Sequence, residues 1–229
     1  MVFGRSKARR RTPDDAYCRT DVLNDPIRSF GYSRYLEIGV RDPADNFEKI
    51  RANEKESVDP EPRATSRSGT IHRTISDEFF ARLDRESPRK YDLVFIDALH
   101  LEHQALKDAG NALRYLSRNG TIVLHDCSPG TEFRQREVYE VEGKFPPWNG
   151  TVRKAFARLR CTRPDLLPFV IDCDEGCGVI RHGSQDVYGR APLEDCLDYA
   201  YLEQNREVLL NLWTVEEFKD WLARQAGRS

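Results

Sequence analysis

An acid and a glycine end the apolar stretch Tyr35-Leu36-Glu37-Ile38-Gly39-Val40, and this ending decides the fold. A second apolar run ends at Asp59, about twenty residues after the glycine. In α/β nucleotide-binding folds, a glycine after the first strand lets the backbone pass close to a ligand, and a carboxylate after the second strand accepts hydrogen bonds from ribose hydroxyls. The spacing therefore predicts a site for an adenosyl-type cofactor.

Strand and helix patterns alternate through the first 126 residues. Apolar runs predict further strands at residues 70–75, 91–96 and 121–124. The run 91–96 is continuously apolar after its first two residues, as expected of a parallel strand that is covered on both faces. The alternation predicts right-handed βαβ units in a doubly wound sheet.

Helices are predicted between these strands. One starts at Ser76, whose hydroxyl is expected to cap its N-terminus. Another spans residues 101–116, with Asn119 and Gly120 as its C-terminal stop. A short crossover helix is expected over residues 46–50.

The sequence of the C-terminal part predicts a different arrangement of elements. A helix is expected over residues 151–159, and a short turn joins strands at 167–171 and 178–181 into an antiparallel hairpin. Beyond residue 193 the spacing is helical, with a break near Trp213. We therefore expect an α/β, Rossmann-like, doubly wound sheet of seven strands, mostly parallel with an antiparallel C-terminal hairpin, plus C-terminal helices.

Three segments are expected along the 229 residues. Residues 14–184 form the nucleotide-binding domain, and residues 185–229 form a helical extension packed on it. Residues 1–13 are a basic tail that is expected to be disordered, although its arginines also suit an anionic surface. One domain is expected because the chain is long enough for a single sizeable α/β core and short for two.

Composition excludes several classes of partner. The formal net charge is −2, so the chain as a whole presents no field that attracts nucleic acid. No stretch approaches the roughly 18 apolar residues of a membrane span, so we expect a cytoplasmic protein without a membrane partner. The six cysteines lack paired C-x-x-C spacing, which favours reduced thiols over a zinc site.

Several chemically active side chains follow the predicted strands. In an open parallel sheet, ligands bind outside the carboxyl ends of the strands, near the point where the strand order reverses. The residues expected at this edge are Glu37, Gly39, Asp59, Ser76, Asp97, His125 and Asp126. We therefore expect one composite site to which four or five strands contribute.

Four motifs, in this order, resemble those of class I S-adenosylmethionine-dependent methyltransferases. They are Tyr35-Leu36-Glu37-Ile38-Gly39-Val40, Ser57-Val58-Asp59-Pro60, Phe95-Ile96-Asp97-Ala98-Leu99-His100 and Ile122-Val123-Leu124-His125-Asp126. The branch they resemble includes sugar O-methyltransferases similar to macrocin O-methyltransferase. The resemblance runs from about residue 35 to about residue 181. It implies S-adenosylmethionine as cofactor and methyl transfer to a hydroxyl of a sugar or a glycosylated metabolite.

The resemblance also implies roles for the cofactor-binding residues. Glu37 would hold the methionine end of S-adenosylmethionine, Gly39 would let the backbone approach it, and Asp59 would accept both ribose hydroxyls. Ser76 or Asp77 would lie beside the adenine, where the first turn of a helix offers free N–H donors. The alternative for Asp77 is compensation of the helix dipole.

Asp97 and Asp126 predict a metal site. If they end adjacent strands, about 4.8 Å apart, their carboxylates converge on one hard divalent cation, and an oxygen-rich site suits Mg²⁺. Such a cation would lower the pKa of an acceptor hydroxyl and orient it towards the methyl group. The resembled sugar O-methyltransferases use such a site. Asp97 is also expected to contact the cofactor, and Glu132 is the candidate third ligand.

His100 is the expected general base, because its Asp-x-x-His arrangement is similar to the one that supplies the base in that branch. His125 is the rival base or an acceptor contact, and either histidine is alternatively a polar residue at the rim. Trp148 is a candidate wall for stacking a sugar, with core or loop packing as the alternative. The expected partner is a small-molecule or glycan acceptor, and the apolar tail helices offer a surface for a homodimer.

Three other functions are weighed against this one. A dehydrogenase is disfavoured because the first loop lacks the second and third glycines of G-x-G-x-x-G. The run Asp172-Cys173-Asp174 spells the metal motif of some nucleotide-sugar glycosyltransferases, but it falls in the late hairpin, where a solvated turn is expected. The glycine-poor loop also suits a catalytically weak or non-catalytic cofactor-binding protein. The joint presence of Asp97, His100 and Asp126 argues against that alternative.

Overall fold

The computed structural model describes residues 17–86 and 89–227, so the predicted basic tail, residues 1–13, lies outside the described part. The strands in this part are β1 (Arg34–Ile38), β2 (Glu54–Val58), β3 (Thr70–His72), β4 (Tyr91–Ile96), β5 (Leu116–Leu124), β6 (Leu166–Ile171), β7 (Cys177–His182) and β8 (Leu212–Trp213). They form one sheet in the order β3-β2-β1-β4-β5-β7-β6-β8. Strand β7 runs antiparallel to β5 and β6, and the other paired strands are parallel.

Helices cover both faces of this sheet. They are α1 (Arg19–Phe30), α2 (Ser76–Glu86), α3 (Glu102–Tyr115), α4 (Val152–Thr162), α5 (Leu193–Leu197), α6 (Tyr199–Leu209) and α7 (Val215–Ala226). Apolar residues of α1 and α7 pack on one face, and those of α2 to α6 pack on the other. Neighbouring residues of β1 alternate between the two cores, Tyr35 on the first face and Leu36 on the second. The predicted doubly wound α/β fold is confirmed.

The sheet has one strand more than the seven that the sequence predicted. Leu212 and Trp213 pair in parallel with Val170 and Ile171, and the ring of Trp213 stacks on Phe169 with centroids 3.9 Å apart. Two residues carry too short a periodic signal to be recognised as a strand. The predicted helical extension thus contributes to the sheet itself, and its boundary near residue 185 stays a prediction.

The helix stop predicted at Asn119 and Gly120 is wrong. Helix α3 ends at Tyr115, and Leu116 already has extended backbone, with ψ of 138°. Both residues therefore lie inside β5, which pairs with β4 after a shift in register. Turn-type residues are tolerated there because the pairing with β4 is irregular between Tyr91 and Leu93.

Two other local predictions also differ from the structure. Ser76 is the first residue of α2, and its hydroxyl accepts a hydrogen bond from Gln104 Nε2 at 3.2 Å instead of capping the helix. The crossover between β1 and β2 forms only one 3₁₀ turn, Phe47–Lys49. The ammonium group of Lys55 donates to the carbonyls of Phe47 and Ile50, which satisfies the end of this turn. No helix in residues 17–86 and 89–227 is both long and apolar enough to cross a bilayer.

Gly39 controls how closely the ends of β1 and β4 approach. Its φ is +89°, a left-handed value that glycine adopts without steric cost. A Cβ at this position would lie 2.3 Å from the carbonyl oxygen of Asp97 and 2.6 Å from the Cα of Ala98. The strand order reverses between β1 and β4, so this glycine shapes the crevice in which ligands bind.

Replacing Gly39 by alanine is expected to lower the free energy of unfolding by about 2–4 kcal/mol, because strain at positive φ and overlap with Asp97 both contribute. Gly110 is the matched control, since it is exposed within α3 and an added Cβ would meet nothing within 4 Å. Gly110→Ala should raise stability by about 0.5–1 kcal/mol. Urea denaturation measures both, and a Gly39→Ala variant as stable as the parent would contradict this account.

Candidate functional site

A cleft opens at the carboxyl edge of the sheet, over the point where the strand order reverses. It is lined by Arg19, Glu37, Gly39, Val40, Arg41, Asp45, Asn46, Asp97, His100, His125, Asp126, Tyr139 and Trp148. The residues after β1 thus share one space with those after β4 and β5. Six of the predicted site residues are brought together here, namely Glu37, Gly39, Asp97, His100, His125 and Asp126.

Asp97, His100 and Asp126 form a close group in this cleft. His100 Nδ1 lies 2.7 Å from Asp126 Oδ2, and His100 Nε2 lies 3.5 Å from Asp97 Oδ1. One potential ligand atom from each residue lies within 4.8 Å of the others. The predicted pair of metal-binding acids is therefore brought together with a third donor, His100. Glu132, the candidate third ligand, is instead exposed and lies outside this group.

The backbone around this group adopts uncommon conformations. His100 and Asp126 have φ values of +51° and +61°, which cost free energy for residues with a Cβ. Gly150 packs closely on His100, because a Cβ at position 150 would lie 1.9 Å from the carbonyl oxygen of His100. The N–H of Thr151 donates to the same carbonyl at 2.7 Å. The segment before α4 therefore holds the turn that carries His100.

Opposite charges stabilise each other in this group. Burial by itself would raise the pKa of Asp126, but His125 and His100 hold that pKa well below its usual range. Burial opposes a charge on His100, and the contacts with Asp126 and Asp97 outweigh it and raise the pKa of His100. The cleft therefore keeps ionised carboxylates beside a basic imidazole.

His125 is more enclosed than His100. Its side chain is 6% exposed, against 21% for His100. Its Nδ1 lies 3.3 Å from Asp97 Oδ1 and 3.4 Å from Asp126 Oδ1. Burial disfavours its charged form, but these carboxylates raise the pKa of His125 well above its ordinary value. A histidine held protonated between acids is less suited to accept a proton from a ligand than His100 is.

Asp174 is a site residue that the sequence analysis placed elsewhere. The prediction of a solvated turn away from the strand reversal is wrong, because β7 lies next to β5 and its turn reaches the end of that strand. Asp174 Oδ1 lies 3.7 Å from His125 Nε2, and Oδ2 accepts a hydrogen bond from the N–H of Arg19 at 2.9 Å. Burial raises the pKa of Asp174, but His125 and Arg19 lower it to about 2.

Asn149 and Arg19 are two further residues that the sequence did not reveal. Asn149 Nδ2 donates to Asp126 Oδ1 at 2.6 Å, and the residue is 2% exposed. Arg19 Nη1 lies 3.4 Å from Asp97 Oδ2. Asn149 precedes a glycine and indicates only a turn. No local pattern around Arg19 marks it as a site residue. Their roles depend on contacts with residues far away in the sequence.

Glu37 lies near the end of β1 and lines the same cleft. It is 2% exposed, and its Oε2 accepts hydrogen bonds from Tyr35 Oη at 2.5 Å and from Asn46 Nδ2 at 3.1 Å. Burial raises the pKa of Glu37 to about 8, although these two donors oppose the shift. A cationic ligand would favour its ionised form. This position fits the predicted contact with the amine of the cofactor.

Asp59 ends β2 as predicted, and its carboxylate organises the first loop. Oδ2 accepts the N–H of Arg41 and Oδ1 accepts the N–H of Glu61, both at 2.8 Å. Each carboxylate oxygen has two lone pairs. The carboxylate therefore keeps acceptor capacity for the predicted ribose hydroxyls.

Ser76 and Asp77 connect two helices. Gln104 Nε2 donates to the hydroxyl of Ser76 at 3.2 Å, and Lys107 Nζ lies 2.6 Å from Asp77 Oδ2. This ion pair between α2 and α3 lowers the pKa of Asp77 through the bond from Lys107. Neither residue lines the cleft described above. Their contact with adenine stays a prediction.

Trp148 packs within its loop and also lines the cleft, and stacking on a sugar stays a prediction. Its ring centroid is 5.0 Å from that of His100 and 5.1 Å from that of Tyr139, and its Nε1 donates to Arg136 O at 2.6 Å. It also lines the cleft, next to the acidic group. Phe145 packs on Tyr139 and is 61% exposed. An aromatic surface thus continues from the cleft onto the loop before α4.

Comparison with known proteins agrees with this architecture. Residues 28–127 match a family model described as a methyltransferase domain. No curated protein matches the sequence. A methyltransferase of Podospora anserina bound to S-adenosylhomocysteine has 20% identity and a TM-score of 0.55, with 77% of this chain and 85% of that chain covered.

Two further solved structures have similar folds. An O-methyltransferase of Streptomyces achromogenes, involved in tomaymycin synthesis and bound to S-adenosylmethionine, has 15% identity and a TM-score of 0.50, covering 75% of this chain and 83% of that one. A putative O-methyltransferase of Klebsiella pneumoniae has 13% identity and a TM-score of 0.52, covering 77% and 83%. The fold expected from the resemblance to class I methyltransferases is confirmed. The macrocin-like branch stays a prediction.

Replacing Glu37 by glutamine is expected to flatten the dependence of stability on pH. Between about pH 5 and pH 8 the folded chain keeps a proton on Glu37 that the unfolded chain has released, so stability falls as pH rises through this window. Glutamine has no proton to release there. Urea denaturation across the window should show the smaller slope for Glu37→Gln, whereas the exposed Glu54→Gln should keep the parent slope. Equal slopes for Glu37→Gln and the parent would contradict the raised pKa.

Proposed function

We propose that this chain, an S-adenosylmethionine-dependent methyltransferase by its domain and its fold, transfers the methyl group to a hydroxyl oxygen of a sugar or a glycosylated metabolite. One observation carries the proposal: Asp97, His100 and Asp126 lie together in the cleft that also contains Glu37 and Gly39. A group of acids and an imidazole can activate a hydroxyl, and Glu37 and Gly39 at the end of β1 suit the cofactor. The class I fold favours methyl transfer over the dehydrogenase and glycosyltransferase alternatives.

The donor set suits a hard divalent cation such as Mg²⁺. Asp97 and Asp126 would supply carboxylate oxygens, and the hydrogen bond from Asn149 orients the second of them. A cation held there would lower the pKa of an acceptor hydroxyl and orient it. Arg19 lies 3.4 Å from Asp97, so its positive charge competes with the cation for that carboxylate. We infer that both acids, rather than Asp97 alone, are needed to hold the cation.

His100 takes the proton from the acceptor hydroxyl in this proposal. Its ring is held between Asp97 and Asp126, and the shorter contact, from Nδ1 to Asp126, orients it. His125 keeps its charge among the acids and balances them rather than exchanging protons with the acceptor. When bound, S-adenosylmethionine would supply an electrophilic methyl group, and SN2 transfer to the acceptor oxygen would break the carbon–sulfur bond and release S-adenosylhomocysteine. Glu37 and Asp59 hold its methionine end and its ribose, respectively.

The aromatic surface beside His100 supports a ring-shaped acceptor. Trp148 and Tyr139 line the cleft, and Phe145 packs on Tyr139 with an exposed fraction of 61%. The flat face of a tryptophan next to polar groups suits the apolar face of a sugar ring, with its hydroxyls turned towards the acids. We therefore propose a small-molecule or glycan acceptor rather than nucleic acid. A homodimer through the tail helices stays a prediction, as does the cytoplasmic location.

Replacing Asp126 by asparagine is expected to lower turnover by about 100-fold or more, because it removes a charge from the proposed cation ligands. Binding of Mn²⁺, followed by electron paramagnetic resonance, should weaken in parallel, while calorimetry should show S-adenosylhomocysteine affinity within about threefold of the parent. Asp165, an exposed acid paired with Arg163 before β6, is the control, and Asp165→Asn should change neither. Full activity in EDTA would remove the cation from the mechanism.

Turnover and Mn²⁺ affinity together distinguish two roles of His100, general base and metal ligand. If His100 is the base only, His100→Gln should lower turnover and leave Mn²⁺ affinity within about threefold of the parent. If His100 is instead the third ligand, Mn²⁺ affinity should fall about as far as in Asp126→Asn. The first outcome supports the role proposed above, and the second contradicts it.

A panel of acceptors tests the substrate class. Release of S-adenosylhomocysteine is measured with glycosides and nucleotide sugars and, separately, with phenols and amines. We expect turnover with the sugar acceptors, and Trp148→Leu should raise their KM by about tenfold, while Trp148→Phe keeps an aromatic face and restores most of the affinity. Methyl transfer confined to phenols or amines would contradict the sugar assignment.

A further inference from the structure

Arg19 brings a positive charge into the cleft. It is the first residue of α1, and its backbone N–H donates to Asp174 Oδ2 at 2.9 Å, which anchors the start of the helix at the site. Its side chain is 28% exposed and lines the cleft together with Glu37 and Gly39. The guanidinium group is therefore presented to a ligand in the cleft rather than to the outer surface.

The contacts of this guanidinium with the acidic group are long. Nη1 lies 3.4 Å from Asp97 Oδ2, and Nε lies 3.8 Å from Asp174 Oδ2. Typical N–H···O hydrogen bonds span 2.7–3.2 Å. Nη1 also lies 3.4 Å from Nδ1 and 3.3 Å from Nε2 of His125. A guanidinium group has five N–H donors, and all these contacts involve Nη1 or Nε. The two donors on Nη2 remain for a further acceptor.

Another arginine of the chain shows how a tight ion pair looks in this molecule. Arg163 donates two parallel hydrogen bonds to Asp165, from Nε to Oδ1 at 2.7 Å and from Nη2 to Oδ2 at 2.6 Å. If Arg19 served only to neutralise Asp97 and Asp174, a comparable geometry would be expected. Its loose contacts fit a residue that also binds a ligand.

Glu37 supplies a carboxyl group in the same cleft, and a bound ammonium group would favour its ionised form. Tyr35 and Asn46 both donate to its Oε2, and Oε1 can accept a hydrogen bond from an ammonium group. The methionine end of S-adenosylmethionine carries an ammonium and a carboxylate on the same carbon atom. The cleft therefore offers an acceptor for the first group and a cationic donor for the second.

We propose that Arg19 binds the α-carboxylate of S-adenosylmethionine through charge-assisted hydrogen bonds from its guanidinium group. The inference rests on the proposed function, because it needs the cofactor in this cleft. A guanidinium group matches a carboxylate with two parallel bonds, and such pairs are among the strong hydrogen bonds of proteins. Arg19 thus selects a cofactor with an intact methionine end over one that lacks the carboxylate.

Calorimetry with two ligands tests the proposal. S-adenosylmethionine carries the carboxylate, whereas decarboxylated S-adenosylmethionine keeps the amine, the sulfonium and the adenosine. Arg19→Gln is expected to weaken binding of the first by about 10- to 100-fold and binding of the second by less than about threefold. Arg19→Lys keeps the charge without the two-pronged geometry, so its loss should be intermediate.

Arg28 provides a matched control on the same helix. Its side chain is 71% exposed and pairs with Asp25, and Arg28→Gln should leave both affinities unchanged. Binding of the decarboxylated ligand by Arg19→Gln also verifies that this variant is folded.

The possible failures are distinguishable. Unchanged affinity of Arg19→Gln for S-adenosylmethionine would overturn the proposal. Equal losses for both ligands would also overturn it, because Arg19 would then support the cleft without contacting the carboxylate. If the parent chain binds neither ligand, the cofactor assignment of the proposed function falls, and this inference falls with it.

Discussion

The close approach of the β1 and β4 ends is the constraint on which the rest of the site depends. The backbone at Gly39 passes so near Asp97 that a Cβ would lie 2.3 Å from its carbonyl oxygen. Because of this contact, Glu37 on β1 and Asp97 after β4 line the same cleft. A side chain at position 39 would separate the acid that suits the cofactor amine from the acid that suits a cation. Methyl transfer needs both partners within one space.

A second close contact completes the acidic group. Gly150 packs against the carbonyl of His100, and Asn149 donates to the carboxylate of Asp126. These contacts offset the free energy that positive φ values cost at His100 and Asp126. The loop before α4 therefore fixes the positions of His100 and Asp126 relative to each other. Such preorganisation is what an activated hydroxyl requires.

The sequence predicted the elements that carry a strong local pattern. The strand over residues 91–96 has the predicted bounds, and the hairpin of β6 and β7 forms as expected. It also located Asp97 and Asp126 correctly, because the residue after a buried strand lies at the ligand-binding edge of an open sheet. It missed β8, because two residues are too few to show a periodic pattern. It also placed the start of β5 too late, because Gly120 lies inside this strand, where the pairing with β4 is irregular.

The sequence by itself determined the doubly wound topology, the acid and glycine at the end of β1, and the carboxylates after β4 and β5. Periodicity and the fixed position of strand ends are local properties, so one chain is enough to reveal them. Only the tertiary structure decided that Arg19 lines the cleft and that Asn149 and Asp174 contact its residues Asp126 and His125. Arg19 and Asp174 are separated by 155 positions, and they meet because β7 inserts beside β5 and carries its turn to the start of α1. Strand order and side-chain direction arise from packing between distant segments, and no local pattern encodes them.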